Sequence, residues 1–384
     1  MIKVAIIGTG NISAAHIEGY LQFPERCKIV ALVDIYPEKA EEKKKRFGLT
    51  DAEVYDDHRK ILDRNDIELF DVCTPPYVHS EITINALNAG KNVLVEKPMA
   101  ASLEECDAML EAAQRNNKLL SIVAQNRFRT GYMRLKQVLD SGLAGDISHV
   151  EVDSYWWRDH SYYDLWWRGT WEKEGGGCTL NHAIHHIDMM IWMAGMPEEI
   201  QAAMSNTSHD NAEVEDLSVA ILKFKNRALG QITSSVVHHG EEQQIVFQCK
   251  KARISAPWKV YASKGKSNGF PERNKELENE IEKFYESLPA QKYEGHTPQI
   301  DDVLKALETN SKPLSTGEGG RRALELITAI YKSASINQSV KLPLTKDDPF
   351  YTVAGLQANL PHFYEKSASI ENFEDESITF GREV

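Results

Sequence analysis

Short apolar runs alternate with amphipathic stretches over positions 1–124. Val4–Ile7 stops at Gly8-Thr9-Gly10-Asn11-Ile12-Ser13, a helical pattern follows to about Leu21, and Lys28–Val33 is a second buried run closed by Asp34. Helical patterns over Glu38–Phe47, Val78–Ala89 and Leu103–Asn116 then alternate with apolar runs at Leu69–Cys73, Asn92–Val95 and Leu119–Val123. Runs that stay apolar at nearly every position suit strands covered on both faces. Repeated strand–helix units predict a parallel sheet with ligands at the carboxyl ends of its strands. From residue 147 the pattern changes. Ile147–Trp157, Ile200–Ser205, Asp216–Phe224, Ala228–Val237, Gln244–Cys249 and Ala252–Ser255 read as strands with Gly- or Asn-containing turns between them. Their succession predicts antiparallel neighbours.

The first half already suggests chemistry. Strand, Gly-x-Gly turn, helix, strand and acid is the layout of a dinucleotide site. Gly8 permits the tight turn, Gly10 lets backbone N–H groups approach a pyrophosphate, and the following helix offers its N-terminus to that dianion. Ser13 stands where a third glycine is usual and is small enough for close helix–strand packing. Taken alone, the glycines would also fit a tight turn in another parallel α/β fold. Asp34, at the end of the second apolar run, shifts the balance. A carboxylate there accepts hydrogen bonds from ribose hydroxyls and repels a 2′-phosphate, so NAD is favoured over NADP. Two further loops, Thr74-Pro75-Pro76 and Glu96-Lys97-Pro98, fall at strand ends, where proline fixes their shape. Lys97 follows a buried run directly; a plain surface lysine is the competing reading.

In the second half, Thr179–Ala194 reads as one helix at about 100° per residue. Leu180, Ile184, Ile187 and Ile191 fall on a core stripe, Asn181, His185, Asp188 and Trp192 on a stripe beside it, and His182 and His186 on a third face. His182 and His186 have metal-ligand spacing, but they face away from Asp188 and no His-Glu-x-x-His is present, so no metal is expected. Five of the seven tryptophans (Trp156, Trp157, Trp166, Trp167, Trp171) crowd between positions 156 and 171 with Tyr162 and Tyr163, directly after Tyr155. Apolar faces beside polar groups suit a hydroxyl-rich ring. A packed strand edge or a subunit interface is the alternative.

Charge and cysteine content narrow the partners. The net charge of −13 argues against nucleic acid or an anionic membrane surface, both of which need a basic footprint. Positions 346–384 hold 3 basic and 8 acidic side chains, so a tenth of the chain carries −5 of that total. Five scattered cysteines without a Cys-x-x-Cys pair suit reduced thiols in the cytoplasm. The densest apolar stretch, Met189–Ala194, is too short to span a bilayer, and the start of the chain lacks a signal-peptide layout.

The motifs together resemble the Gfo/Idh/MocA oxidoreductases (glucose–fructose oxidoreductase, inositol dehydrogenase and relatives). The matching residues are Gly8–Ile12, Thr74-Pro75 with His79, the run Gly90–Pro98 that ends in Glu96-Lys97-Pro98, and Asn126-Arg127-Phe128. Downstream come Gly175-Gly176-Gly177 leading to His185 and Asp188, the pair Glu215-Asp216, and Leu342-Pro343-Leu344. They keep family order over roughly residues 1–345. The resemblance implies an N-terminal Rossmann parallel sheet over 1–124 and a C-terminal α+β domain with a large open, mostly antiparallel sheet over 125–345. Residues 346–384 would form an acidic extension, which Phe350, Tyr351, Leu356, Leu360, Phe363 and Tyr364 would dock. It further implies a homo-oligomer, dimer or tetramer, packed through the open sheet.

The resemblance also implies roles. Lys97 and His185 match the family's catalytic lysine and histidine, with Asn181 where the family has an aspartate. Asn can orient a hydroxyl but cannot take up a proton. That leaves His185 as general base, Lys97 to polarise the oxygen, and Asp188 to orient His185 or hold its helix. Cofactor contacts would come from Gly8, Thr9, Gly10, Asn11, Ile12, Asp34, Thr74, Pro75, His79, Glu96, Lys97, Asn126, Trp167 and Arg168. Substrate contacts would come from Lys97, Arg127, Tyr163, Asn181 and His185. The expected activity is NAD-dependent oxidation of a secondary hydroxyl on a sugar, glycoside or inositol-like ring. A glycosidase or epimerase that recycles its NAD, and a non-catalytic NAD-sensing regulator, are the alternatives.

Overall fold

The computed structural model describes residues 1–371 and 373. Glu374, Asp375 and Glu376, three of the tail's acids, lie outside the described residues.

The first sheet has six parallel strands: β1 (Ile2–Ile7), β2 (Cys27–Val33), β3 (Glu53–Tyr55), β4 (Leu69–Val72), β5 (Asn92–Val95) and β6 (Leu120–Ile122). Their order is β3-β2-β1-β4-β5-β6, the doubly wound arrangement whose direction reverses between β1 and β4. Register places the site. Ile7 pairs with both Val33 and Val72, and Val72 pairs with Val95, so Gly8, Asp34, Cys73 and Glu96 all emerge at one edge. The helices are fixed by local chemistry as well as packing. In the helix Leu103–Asn116, Ser102 Oγ accepts from Glu105 N at 3.2 Å, while the Glu105 carboxylate accepts from Ala101 N at 2.9 Å. This near-reciprocal cap satisfies amides that the helix start leaves open.

The second sheet has nine strands: β7 (Ile147–Tyr155), β8 (Glu199–Ser205), β9 (Leu217–Lys223), β10 (Leu229–Ser235), β11 (Gln243–Cys249), β12 (Ala252–Ala256), β13 (Lys259–Gly265), β14 (Pro271–Arg273) and β15 (Val340–Lys341). Their order is β14-β13-β12-β11-β7-β10-β9-β8-β15. All neighbours are antiparallel except β7 and β10, which run parallel, Leu229 opposite His149 through Ser235 opposite Tyr155. This is the mostly antiparallel sheet that the resemblance implies. The sheet inserts β10 beside β7, far upstream in the chain, a pairing that local periodicity does not encode. The short strands β3, β14 and β15 carry too little alternation to be read, and β13 is exposed along most of its length. One face of the sheet packs on the helices Ile184–Ala194 and Gly317–Ile336. The other exposes Val219, Ile221, Leu229 and Tyr261, so alternate residues of β9 face opposite ways.

Thr179–Ala194 is not one helix. Cys178–Asn181 forms a single turn, His182 and Ala183 break it, and Ile184–Ala194 starts anew. The turn and the longer helix are therefore free to take different directions. The helix His296–Thr309 returns to the first sheet, where Ile300, Val303 and Leu304 pack in one cluster with Ile17 and Tyr20. Phe350, Tyr351 and Leu360 of the tail are buried, while Tyr364 is exposed. The tail then crosses the aromatic segment. Ile370 N donates to Asp164 O at 2.8 Å and Trp166 N donates to Ile370 O at 3.0 Å. Among the described residues no helix is long and apolar enough to cross a membrane.

Candidate active site

The turn after β1 is shaped by contact with β4. Gly8 has φ +92°, and a Cβ there would lie 2.8 Å from both Cys73 C and O, so both the torsion and the close approach require glycine. Beside Gly10, nothing among the described residues lies within 4 Å of where a Cβ would sit, leaving space against the backbone. No side chain among them caps the helix Ser13–Leu21, and its first turn has no acid. The end of that helix is suited to an anion. Thr9 N and Oγ1 donate to Asp34 Oδ2 at 2.7 and 2.8 Å, and Tyr36 N donates to Oδ1 at 3.0 Å, which fixes the carboxylate at the end of β2. Asn11 and Ile12 lie on the same turn. Thr74 Oγ1 is buried with no partner among the described residues, a donor waiting for a ligand. These features fit a dinucleotide.

Histidines pin the neighbouring loops. His79 is fully buried, its Nε2 2.7 Å from Thr74 O and its Nδ1 2.8 Å from Pro98 O. It joins the Thr74-Pro75 loop to the Glu-Lys-Pro loop and has no surface left for a cofactor. Glu96 is also turned inward. Its Oε2 accepts from Lys97 N at 3.0 Å, and its Oε1 lies 3.0 Å from His16 Nε2 and 3.7 Å from His296 Nε2. His16 Nδ1 in turn lies 2.8 Å from Asp71 Oδ2. Burial opposes charge on His16, but Asp71 and Cys73 together outweigh it and hold the imidazole well above its ordinary pKa. Burial likewise opposes the Glu96 carboxylate, and His16 outweighs that and holds it well below the usual range. The imidazole thus bridges the two carboxylates. His16, Asp71 and His296 are functional-site neighbours that motif reading misses. An acid inside the apolar run Leu69–Val72 is the one available signal, because a buried charge needs a partner.

Across the cleft stands the triple glycine turn. Glu215 is fully buried and collects Gly177 N at 3.1 Å, Thr179 N at 2.9 Å and the Tyr331 hydroxyl at 2.9 Å. Asn181 Nδ2 folds back onto Gly176 O at 2.8 Å. These bonds orient the Cys178–Asn181 turn independently of the following helix, which corrects the expected in-line row of Asn181, His185 and Asp188. Asn181 reaches the site through its backbone: its carbonyl accepts from Lys97 Nζ at 3.0 Å. Lys97, Asn126, His185 and Asp188 line one small cavity of about 20 Å³. Burial depresses the Lys97 pKa, with Glu96 pulling the other way. Burial, then the Lys97 charge, pushes His185 well below the ordinary histidine value, so its imidazole is neutral at neutral pH.

Other expected positions fall elsewhere. Arg127 is buried and bidentate to Asp188, Nε to Oδ2 at 2.8 Å and Nη2 to Oδ1 at 2.7 Å, and also reaches Leu314 O. Its charge is consumed in tying the turn that carries it to the helix Ile184–Ala194, which removes it from substrate contact and takes Asp188 away from orienting His185. His186 Nδ1 lies 3.1 Å from Ser154 Oγ, so His182, His186 and Asp188 do not converge. Tyr163 is 1% exposed and packs edge-on against His209; it has no surface to offer a substrate. Its neighbour Tyr162 faces the site, with its ring 5.7 Å from that of His182. The Arg168 guanidinium sits 4.1 Å from the Tyr162 ring centroid and 4.3 Å from that of Trp167.

Comparison with known proteins agrees with this geometry. Residues 2–124 match the model described as "Oxidoreductase family, NAD-binding Rossmann fold", and residues 132–255 match the Gfo/Idh/MocA C-terminal domain. The chain belongs to the Gfo/Idh/MocA oxidoreductase family. Like other Gfo/Idh/MocA enzymes it is an NAD-dependent oxidoreductase. It is 25% identical over 348 residues to myo-inositol 2-dehydrogenase of Thermotoga maritima, covering 89% of this chain and 98% of that one. It is 28% identical over 280 residues to levoglucosan dehydrogenase of Pseudarthrobacter phenanthrenivorans, covering 64% and 70%. Among solved Gfo/Idh/MocA structures, the WlbA dehydrogenase of Bordetella pertussis in complex with NADH and UDP-GlcNAcA superposes with a TM-score of 0.77. It shares 27% identity, with 90% of this chain and 98% of that one covered.

Proposed function

We propose that the protein oxidises a secondary hydroxyl on a sugar, glycoside or inositol-like ring, with His185 as general base and Lys97 polarising the oxygen. The observation that carries this reading is the shared cavity of Lys97, held at Asn181 O, and a neutral His185. Gly8, Thr9, Gly10, Asp34 and Thr74 would hold the cofactor, with Trp167 and Arg168 across the cleft. Bound NAD supplies the hydride acceptor. The protein must take the other product of the oxidation, the hydroxyl proton. A neutral imidazole accepts it, while the Lys97 ammonium donates to the oxygen as negative charge develops there. Asn181 cannot ionise, so the proton leaves through His185 alone. Tyr162 and Trp167 offer apolar faces to the ring's C–H surfaces.

The relatives, whose names concern myo-inositol, levoglucosan and UDP-GlcNAcA, support the ring class without choosing within it. The exposed apolar row Val219, Ile221 and Leu229 supports a homo-oligomer closed through the open sheet, and the buried free cysteines support a reducing, cytoplasmic setting. The test is a screen of sugars, glycosides and inositols for NADH formation, repeated with Lys97→Met and His185→Ala. NADH formed by wild type and lost in both variants, with NADH binding retained, is the expected result. Product without net NADH points instead to cofactor recycling. No turnover of any ring by a protein that binds NADH overturns the reading.

A further inference from the structure

Asn181 leaves this site one acid short, and a different carboxylate lies against it. Glu174, directly before the triple glycine, is 1% exposed. Its Oε1 is 3.1 Å from Arg168 Nη1, and its Oε2 accepts from Gly169 N at 2.6 Å. The same guanidinium is flanked by the rings of Tyr162 and Trp167 and hydrogen-bonds the Tyr162 hydroxyl, so its plane is set from several sides. Arg168 Nε is buried with no partner among the described residues. A guanidinium fixed at one end and unsatisfied at the other is arranged for a ligand.

We propose that Glu174 is a positioning residue of this cleft: its carboxylate holds Arg168 in place beside Lys97 and returns to the site the negative charge that Asn181 lacks. The inference rests on the reading that Arg168 faces the cofactor. The groups that act on Glu174 are the cations Arg168, Lys97 and Lys366, the acid Glu215, and the phenols of Tyr162 and Tyr163. Burial raises the Glu174 carboxyl to about 7, against the pull of Arg168. The pair therefore forms as the pH passes through neutrality, well above the range in which His185 titrates. Lys97 senses both members: Arg168 lowers its pKa and Glu174 supports it.

The experiment compares wild type, Glu174→Gln and Glu174→Asp in NADH binding, read by energy transfer from tryptophan, and in kcat and KM, each across pH. Wild type should bind NADH about tenfold or more tightly on the alkaline side of neutrality than Glu174→Gln, because truncating one partner of a buried charge pair releases the other. On the acid side, where Glu174 is protonated, the two should converge. Glu174→Asp keeps the charge on a shorter stem and should keep the step at reduced amplitude. If Glu174→Gln does not fold, the Asp variant decides: no step in its binding profile overturns the proposal. So does a Gln variant whose binding matches wild type within about twofold at every pH. If wild type binds NADH yet turns over no ring, the proposed activity fails, while the binding comparison still tests Glu174.

Discussion

Adding one methyl group at Gly177 should disable the site from a distance. A Cβ there would overlap the carbonyl oxygen of Glu215 outright and lie 2.9 Å from its carbonyl carbon and its Oε2. Neither obstacle is the loose end of a flexible chain. The oxygen is backbone, and the carboxylate is fixed by Gly177 N, Thr179 N and the Tyr331 hydroxyl. Clearing the overlap shifts the glycine turn by about 1 Å, and with it the Asn181 carbonyl that receives Lys97 Nζ; a misplacement of that size costs about 100-fold in rate. In free energy this is about 2.7 kcal/mol of transition-state stabilisation. The assay is kcat/KM for NADH formation by Gly177→Ala, with Gly265→Ala as control. Gly265 lies on the exposed strand β13, where an added Cβ meets nothing within 4 Å among the described residues. The loss should fall mainly on kcat, since the shift displaces the carbonyl that holds Lys97 Nζ. A Gly177→Ala enzyme within about twofold of wild type would refute the reasoning.

Four further outcomes follow from the same geometry. Wild type should prefer NAD to NADP, and Asp34→Ser should lose about 10–100-fold in kcat/KM with NAD, the worth of one or two hydrogen bonds to a charged acceptor, while NADP gains relative to it; equal use of both cofactors by wild type sinks this account of Asp34. Arg127→Met should cost about 3–5 kcal/mol in stability by stranding the buried Asp188 carboxylate, and Arg127→Met with Asp188→Asn should cost clearly less than the sum of the two single changes, in denaturant unfolding. Strict additivity would show that the pair is not coupled. For pH, kcat/KM of wild type should rise as His185 deprotonates, in a limb lying below the ordinary histidine range, and in Lys97→Met the His185 imidazole, followed by NMR, should titrate at higher pH because the nearby charge is gone. The folded protein keeps His182, His185 and His186 neutral, and each binds fewer protons than when unfolded. Stability from these groups is therefore lost as pH falls below about 6.5. Thermal unfolding followed across that window checks the sign.

The nucleotide-binding half was legible in the sequence because its signals are local. A buried strand announces itself by unbroken apolar residues, Gly8 by a turn that only glycine completes, and Asp34 by its place at the end of the second run. The rest depends on partners far along the chain. Asn181 reads as part of a regular stripe, and nothing in its neighbourhood reveals that Glu215, far downstream of Gly177, will rotate its turn. Arg127 and Tyr163 look available because their types often bind ligands; only packing shows one spent on Asp188 and the other sealed off. The clamp of Asp71, His16 and Glu96 joins three elements from separate β-α units, so no window of sequence contains it. Local periodicity places Asn181, His185 and Asp188 on one stripe, and the long-range hydrogen bonds of Glu215 turn the element that carries Asn181.

The return of the helix His296–Thr309 to the first sheet has a consequence for biosynthesis. Ile300, Val303 and Leu304 fill the apolar layer over Ile17 and Tyr20, so the N-terminal unit has an open flank until that helix is made. A ribosome adding about 5–20 residues per second needs roughly 10–40 s to travel from residue 124 to residue 309. Throughout that interval the half that folds first in sequence order exposes the face its last helix will cover. Chaperone engagement on the nascent chain should peak there, and a fragment ending at residue 124 should aggregate where one extended through residue 309 need not.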